Sequence, residues 1–176
     1  MIILGIDPGT ATTGFGIIKQ NKNNKSEFEI LEFGVISTPK TDSDQKRLKI
    51  LFDDLNYLIK KYKPNKIGVE KLFFTTNQKT AMTVSQARGV IMLTAVNHDI
   101  ETLEFTPLQV KNILCGYGKA DKKQVQFMIK QTFGLKQVPK PDDAADALAI
   151  ALCAGWSNLQ TRKNFKAALD KTINKC

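Results

Sequence analysis

Ile2-Ile3-Leu4-Gly5-Ile6-Asp7-Pro8-Gly9-Thr10 is the stretch on which the fold reading turns. A strand with one wet face alternates apolar and polar residues; this one does not, so it reads as a strand covered on both faces, as in the middle of an α/β sheet. It ends on a carboxylate, Asp7, followed at once by a Pro-Gly turn. In open α/β sheets ligands bind beyond the carboxyl ends of the strands, which is where Asp7 stands. Asp also initiates Pro-Gly turns, and Asp7 alone leaves both readings open.

Working outward, Gly14–Lys19 is a second strand, Asn21–Ser26 a polar turn and Glu27–Ser37 a third strand. Leu48, Leu51, Phe52, Leu55, Leu58 and Ile59 keep helical spacing, with Pro64 just beyond. Ile67–Glu70 is a short buried strand, and Asn77 can cap a helix running to about Val96. Glu101–Phe105 is a fifth strand, after which Thr106-Pro107 is a strong helix start. That helix ends near Gly116. Asp121 can cap the next, which turns Val125, Met128, Ile129 and Phe133 inward and stops at Gly134. A last core helix, Asp142–Trp156, follows Pro139-Lys140-Pro141. Three strands, then alternating helix and strand, then helices, predict an α/β fold with a mixed five-stranded sheet flanked by helices. No linker or repeat divides the chain: residues 1–157 form one expected domain, and 158–176 a basic tail, helical over Leu159–Leu169.

Composition narrows the chemistry. The 176 residues are 42% apolar and 24% charged, which suits a globular domain. No run approaches the ~20 apolar residues of a membrane span, and the first residues lack the basic start of a leader peptide, so the expectation is a soluble, cytoplasmic protein. Three cysteines, Cys115, Cys153 and Cys176, without a Cys-x-x-Cys pair, support neither a disulfide framework nor a thiolate zinc site. His98 is the single histidine and reads as a helix-end residue. Ser-His-Asp and Cys-His catalysis lose their support, which leaves carboxylates.

The net charge of +9 is unevenly spread. Lys60–Arg88 carries seven basic residues and only Glu70 as an acid, and residues 105–140 carry seven Lys against Asp121 alone. Residues 141–155 hold Asp142, Asp143 and Asp146 and no Lys or Arg. Basic segments around isolated acids suit a polyanion surface with metal-binding carboxylates at its centre. Glu70 ends the strand Ile67-Gly68-Val69, where Glu has neither strand propensity nor a turn role. Asp143 and Asp146 share one helix face, and Asp146 lies inside the otherwise apolar Ala144–Ala151 run, where an unpaired carboxylate is costly. Asp142 reads as the cap of that helix. If the other acids converge, cations must answer their repulsion; hard oxygen donors without His or Cys favour Mg²⁺ or Mn²⁺. Two such ions clamping a phosphate are the machinery of a nuclease.

Ile6-Asp7-Pro8-Gly9-Thr10 with Thr13-Gly14-Phe15-Gly16 resembles the first strand and turn of RuvC-type Holliday-junction resolvases. Val69-Glu70-Lys71-Leu72-Phe73 resembles that family's second acidic strand, with Lys71 where Gln is expected. Gln86-Ala87-Arg88-Gly89, Gln109-Val110-Lys111 and Asp143-Ala144-Ala145-Asp146-Ala147-Leu148-Ala149 match the remaining motifs in order. The resemblance spans about residues 1–156. It implies an RNase H-like fold and a homodimer that nicks two strands of a four-way DNA junction in recombination and repair, leaving 5′-phosphate and 3′-hydroxyl ends. It makes Asp7, Glu70, Asp143 and Asp146 the catalytic and metal-binding tetrad, holding two Mg²⁺ or Mn²⁺ ions. It places Lys111 and Lys122 near the scissile phosphate, Arg88 among the DNA-binding residues and Phe73 against bases at the crossover, although Phe73 also reads as core. The RuvA–RuvB branch-migration complex is an implied partner. A sugar-kinase or actin-like ATPase shares the Gly-Ile-Asp-x-Gly-Thr turn but needs a second, similar half. A non-catalytic nucleic-acid binder explains the lysines and leaves the four acids unexplained.

Overall fold

A computed structural model describes residues 1–9, 11–71 and 78–157. The tail and Phe73 lie outside the described residues. Three antiparallel strands come first: β1 (Ile2–Asp7), β2 (Thr12–Gln20) and β3 (Phe28–Ser37). Helix α1 (Asp44–Tyr62) leads to β4 (Lys66–Glu70), and α2 (Gln78–Asn97) to β5 (Glu101–Phe105). Helices α3 (Pro107–Cys115), α4 (Lys122–Thr132) and α5 (Asp142–Trp156) complete the domain. The sheet runs β3-β2-β1-β4-β5, with β4 and β5 parallel to β1, so it is the mixed five-stranded sheet the sequence predicts.

The unbroken apolar run of β1 is buried on both sides. Leu4 and Ile6 join Leu51, Leu55, Ile91 and Ala95 on the face covered by α1 and α2. Ile3 packs on the opposite face with Val110, Leu114, Ile129 and the apolar side of α5. Alternation along the strand then puts Gly5 and Asp7 on the α5 face with Ile3. In β4, Ile67 and Val69 face α1 and α2, so Gly68 and Glu70 also face α5.

The register places Gly5 opposite Gly16 of β2 and opposite Gly68 of β4, a row of three residues without side chains across the central strands. Helix α5 lies on that row. A Cβ added at Gly5 would stand 2.1 Å from the Ala147 carbonyl oxygen, and one at Gly14 would stand 2.0 Å from the Asp143 carbonyl oxygen. No side chain fits at either position while the helix stays where it is. The small residues of α5 complete the fit, and Ala144, Ala145, Ala147, Ala151 and Ala154 are all buried.

Local signals start and stop the flanking helices. Thr106 and Asp121 cap α3 and α4 through reciprocal capping boxes with Gln109 and Gln124. Gly116 (φ 80°) ends α3 in the left-handed region. One expectation fails. Asp142 does not cap α5: Pro141 is the N-cap residue and no side chain closes that end. Asp142 is already inside the first turn, and its carboxylate reaches sideways to α4, to Lys122 Nζ at 3.2 Å and Gln126 Nε2 at 3.2 Å.

Gly5→Ala is therefore expected to destabilise the fold by at least the usual overpacking cost of about 1–3 kcal/mol, because the obstructing atoms are backbone. Urea unfolding of the two proteins measures it; a loss under about 0.5 kcal/mol would show that α5 shifts freely on the sheet.

Candidate active site

The sheet delivers Asp7 and Glu70 side by side. Ile6 pairs with Val69 in the parallel ladder, so Asp7 and Glu70 are the next residues of adjacent strands, on the face toward α5. The end of β4 is held in place by its pairing with β5, where Glu70 opposes Phe105 and the Lys71 N–H donates to the Phe105 carbonyl at 2.8 Å. Beyond Asp7 the chain turns, and Thr13 Oγ1 donates to the Gly9 carbonyl at 2.7 Å. Gly14, the partner of Asp7 in β2, is where the first turn of α5 rests, so the same contact that seats the helix brings Asp143 next to Asp7. Asp146 follows one turn later on the same face.

The electrostatics reflect this convergence. Burial pushes the Asp7 carboxyl up to about 8, and the charges of Glu70, Asp146 and Asp143 push in the same direction. Asp7 keeps a proton at neutral pH and shares it with Glu70 through a side-chain hydrogen bond. Burial also raises Glu70, a rise that the bond from Asp7 partly offsets and the charge of Asp146 reinforces. Asp146 is raised chiefly by burial, against the pull of Lys122. Lys122 Nζ lies 3.3 Å from Asp146 Oδ2. Burial opposes the charge on Lys122, but its bonds to Asp142 and Asp146 prevail and raise its pKa, so it stays an ammonium.

The other residues expected at the site are placed less directly. Lys111 lies half-buried on α3, where its charge acts on the Cys115 thiol one turn along; it forms no ion pair with the acids among the described residues. Arg88, on α2, is committed to Glu104 of β5 by an ion pair. Reading Arg88 as a basic residue among basic residues misses that partner, which the sequence places sixteen residues away on another element. His98, just past the end of α2, meets Asn56 Oδ1 of α1 at 2.6 Å, a structural contact. Sequence reasoning also misses Gln126, one turn after Lys122 on α4, whose amide fixes the Asp142 carboxylate.

The donors at the centre are carboxylate oxygens, with no imidazole or thiolate, and their charge is compensated by a retained proton and the Lys122 ammonium. Among the described residues no three of them close into a ready-made ligand set, and Asp146 is paired with Lys122. The chemistry suits hard divalent cations, with Asp7, Glu70, Asp143 and Asp146 as the residues that would hold them.

The model of the family described as "Crossover junction endodeoxyribonuclease RuvC" matches residues 3–154. The chain belongs to the RuvC family. It is 52% identical over 153 residues to the crossover junction endodeoxyribonuclease RuvC of Alkaliphilus oremlandii, covering 87% of this chain and 92% of the relative. Thermus thermophilus RuvC has the same fold: TM-score 0.84 and 30% identity, over 92% of this chain and 98% of that one. The T. thermophilus RuvC structure in complex with a Holliday junction substrate superposes with TM-score 0.81 and 27% identity, over the same shares of the two chains. These relatives match over nearly their whole lengths, so the ATPase reading, which needed a second half, is set aside. Membership of a RuvC nuclease family implies dependence on a divalent metal.

A pH dependence follows from Asp7. Its folded pKa lies above the ordinary 3.8, so between about pH 4 and pH 8 the folded protein holds a proton that the unfolded chain has released. Stability in EDTA is therefore lost as pH rises through that window. Thermal melts in EDTA between about pH 5 and pH 8 should fall more steeply for the wild type than for Asp7→Asn, which has no proton to lose. Parallel slopes would mean that Asp7 is not held protonated.

Proposed function

We propose that this chain is a structure-specific endonuclease that resolves four-way DNA junctions by metal-dependent phosphodiester hydrolysis, working as a homodimer in the bacterial cytoplasm during recombination and repair. The observation that carries the reading is the meeting of Asp7, Glu70, Asp143 and Asp146 beyond the carboxyl ends of two parallel strands, with Lys122 beside them. Duplex and junction phosphates need cationic partners, and the chain's net charge of +9 supplies them.

Asp7, Glu70, Asp143 and Asp146 would hold two Mg²⁺ or Mn²⁺ ions. When bound, such ions polarise the phosphoryl oxygens and make water a usable nucleophile near neutral pH. Asp7 and Glu70 would hold the ions as carboxylates, so metal binding would be coupled to loss of the proton that burial favours on Asp7. The Lys122 ammonium, paired with Asp146, is assigned to the negative charge that would grow on the phosphate oxygens during displacement. Lys111 is assigned a similar role from α3, and Arg88 a place along the DNA path. Phe73, three residues past Glu70, is assigned to bases at the crossover, where interrupted pairing leaves them easiest to unstack. RuvA and RuvB are proposed as partners on family grounds alone.

The dimer is assigned to α2. That helix buries Ala87, Ile91 and Ala95 against the domain and leaves Met82, Leu93 and Val96 exposed, at 69%, 57% and 67%, along one outward stripe. A stripe of that kind on a monomer marks an association surface, and a second copy of α2 is its self-complementary occupant. Converting Leu93 and Val96 together to Glu should give a monomer by sedimentation that still binds a junction but no longer makes paired nicks. A dimer that persists in this variant would remove α2 from the interface.

Activity is tested by magnesium-dependent nicking of a synthetic four-way junction, with matched linear duplex and ATP hydrolysis as controls. Cleavage confined to the junction is expected, with 5′-phosphate ends. Asp7→Asn, Glu70→Gln, Asp143→Asn and Asp146→Asn should each reduce the single-turnover rate by about 100-fold or more while junction binding persists, because phosphate contacts supply the affinity. Normal turnover by Glu70→Gln would break the assignment.

A further inference from the structure

We propose that Asp142 is a positioning residue for Lys122: it gives the ammonium a second anchor, so that Asp146 can be released to a divalent cation while the positive charge stays at the centre. The inference rests on the metal-dependent nuclease reading above. Asp142 has no capping duty, since no side-chain bond closes the start of α5. Its carboxylate is divided between two neighbours on α4. Oδ1 accepts from Gln126 Nε2 at 3.2 Å, and Oδ2 pairs with Lys122 Nζ at 3.2 Å. Lys122 and Gln126 stand one helical turn apart, so α4 holds the carboxylate with two adjacent side chains.

The same Nζ lies 3.3 Å from Asp146 Oδ2. Asp142 and Asp146 are themselves one turn apart on α5, and a single ammonium bridges them. The Asp142 pair is half exposed, so it contributes little to stability. Its effect falls on where Lys122 goes. A dication entering beside Asp146 competes with Lys122 for that carboxylate and repels the ammonium. With Asp142 present, Lys122 keeps a partner as it leaves Asp146. Without Asp142, the ammonium has Asp146 alone in the metal-free protein and nothing afterwards, so cation binding is opposed at both ends.

Calorimetric titration of Mn²⁺ into DNA-free protein tests this on four forms: wild type, Asp142→Asn, Lys122→Ala and the double variant. Asp142→Asn retains an oxygen to accept from Gln126 and removes only the charge. Asp142→Asn should weaken Mn²⁺ binding about three- to fivefold, the size of one exposed ion-pair coupling. Lys122→Ala should tighten it, and in the Lys122→Ala background Asp142→Asn should change nothing further. The metal-free melting temperature of Asp142→Asn should match the wild type, separating positioning from stability. Equal weakening in both backgrounds would mean that the lost charge acts on the cation directly, and overturns the proposal. Absence of Mn²⁺ binding by the wild type would instead overturn the metal reading on which it rests, a result visible before any variant is compared.

Discussion

Helix α5 lies backbone-to-backbone on the glycine row of the sheet, and the site depends on that approach. Packed layers of secondary structure ordinarily stand about 8–10 Å apart, held off by the side chains between them. Here Gly5, Gly16 and Gly68 remove the side chains of one layer, and the alanines of α5 thin the other. Dispersion attraction between the two layers is correspondingly strong, because it falls away steeply with any gap. The consequence is geometric as much as energetic. Carboxylate side chains are short, and Asp143 and Asp146 sense Asp7 only because the helix that carries them is pressed onto the strands.

Packing carboxylates this closely stores electrostatic repulsion in the fold. The free protein relieves it in two ways: a proton retained between Asp7 and Glu70, and an ammonium drawn to Asp146. Both are displaceable. A core that satisfied the same acids with buried arginines or backbone donors would be more stable and would resist a cation. The relief chosen is weak enough to be exchanged for divalent ions, which links folding energetics to the proposed chemistry.

Much of this is legible in the chain. The unbroken Ile2–Ile6 run marks β1 as central, strand-terminal Asp7 and Glu70 mark the ligand edge, and the Asp143/Asp146 spacing puts two acids on one helix face. Strand register is not legible, because Gly5, Gly16 and Gly68 are separated by eleven and fifty-two residues and only pairing aligns them. Asp142 misleads because an Asp ahead of an apolar helix has the signature of a cap; Pro141 takes the N-cap position, which frees that carboxylate for α4. The ion pair of Arg88 with Glu104 is not legible either, because the two residues lie on different elements that only the fold brings together.

Local rules and the tertiary fold agree along most of the chain, which sharpens the meaning of one place where they conflict. Lys122 is the first residue of α4, and Lys123 follows it, so two cations sit against the positive end of that helix dipole beside the N-cap carboxylate of Asp121. Helix α5 does the reverse, with Asp142 and Asp143 in its first turn. The two helices answer each other: Asp142 of α5 pairs with the lysine that α4 places unfavourably, and that lysine compensates Asp146, which α5 places unfavourably in an apolar run. A lysine moved to the far end of α4 would satisfy the dipole and leave the acidic centre without its ammonium. Conflicts of this kind concentrate where function constrains a sequence more tightly than stability does. Here it joins two helix starts across one ammonium ion, at the edge of the sheet where the phosphate is proposed to bind.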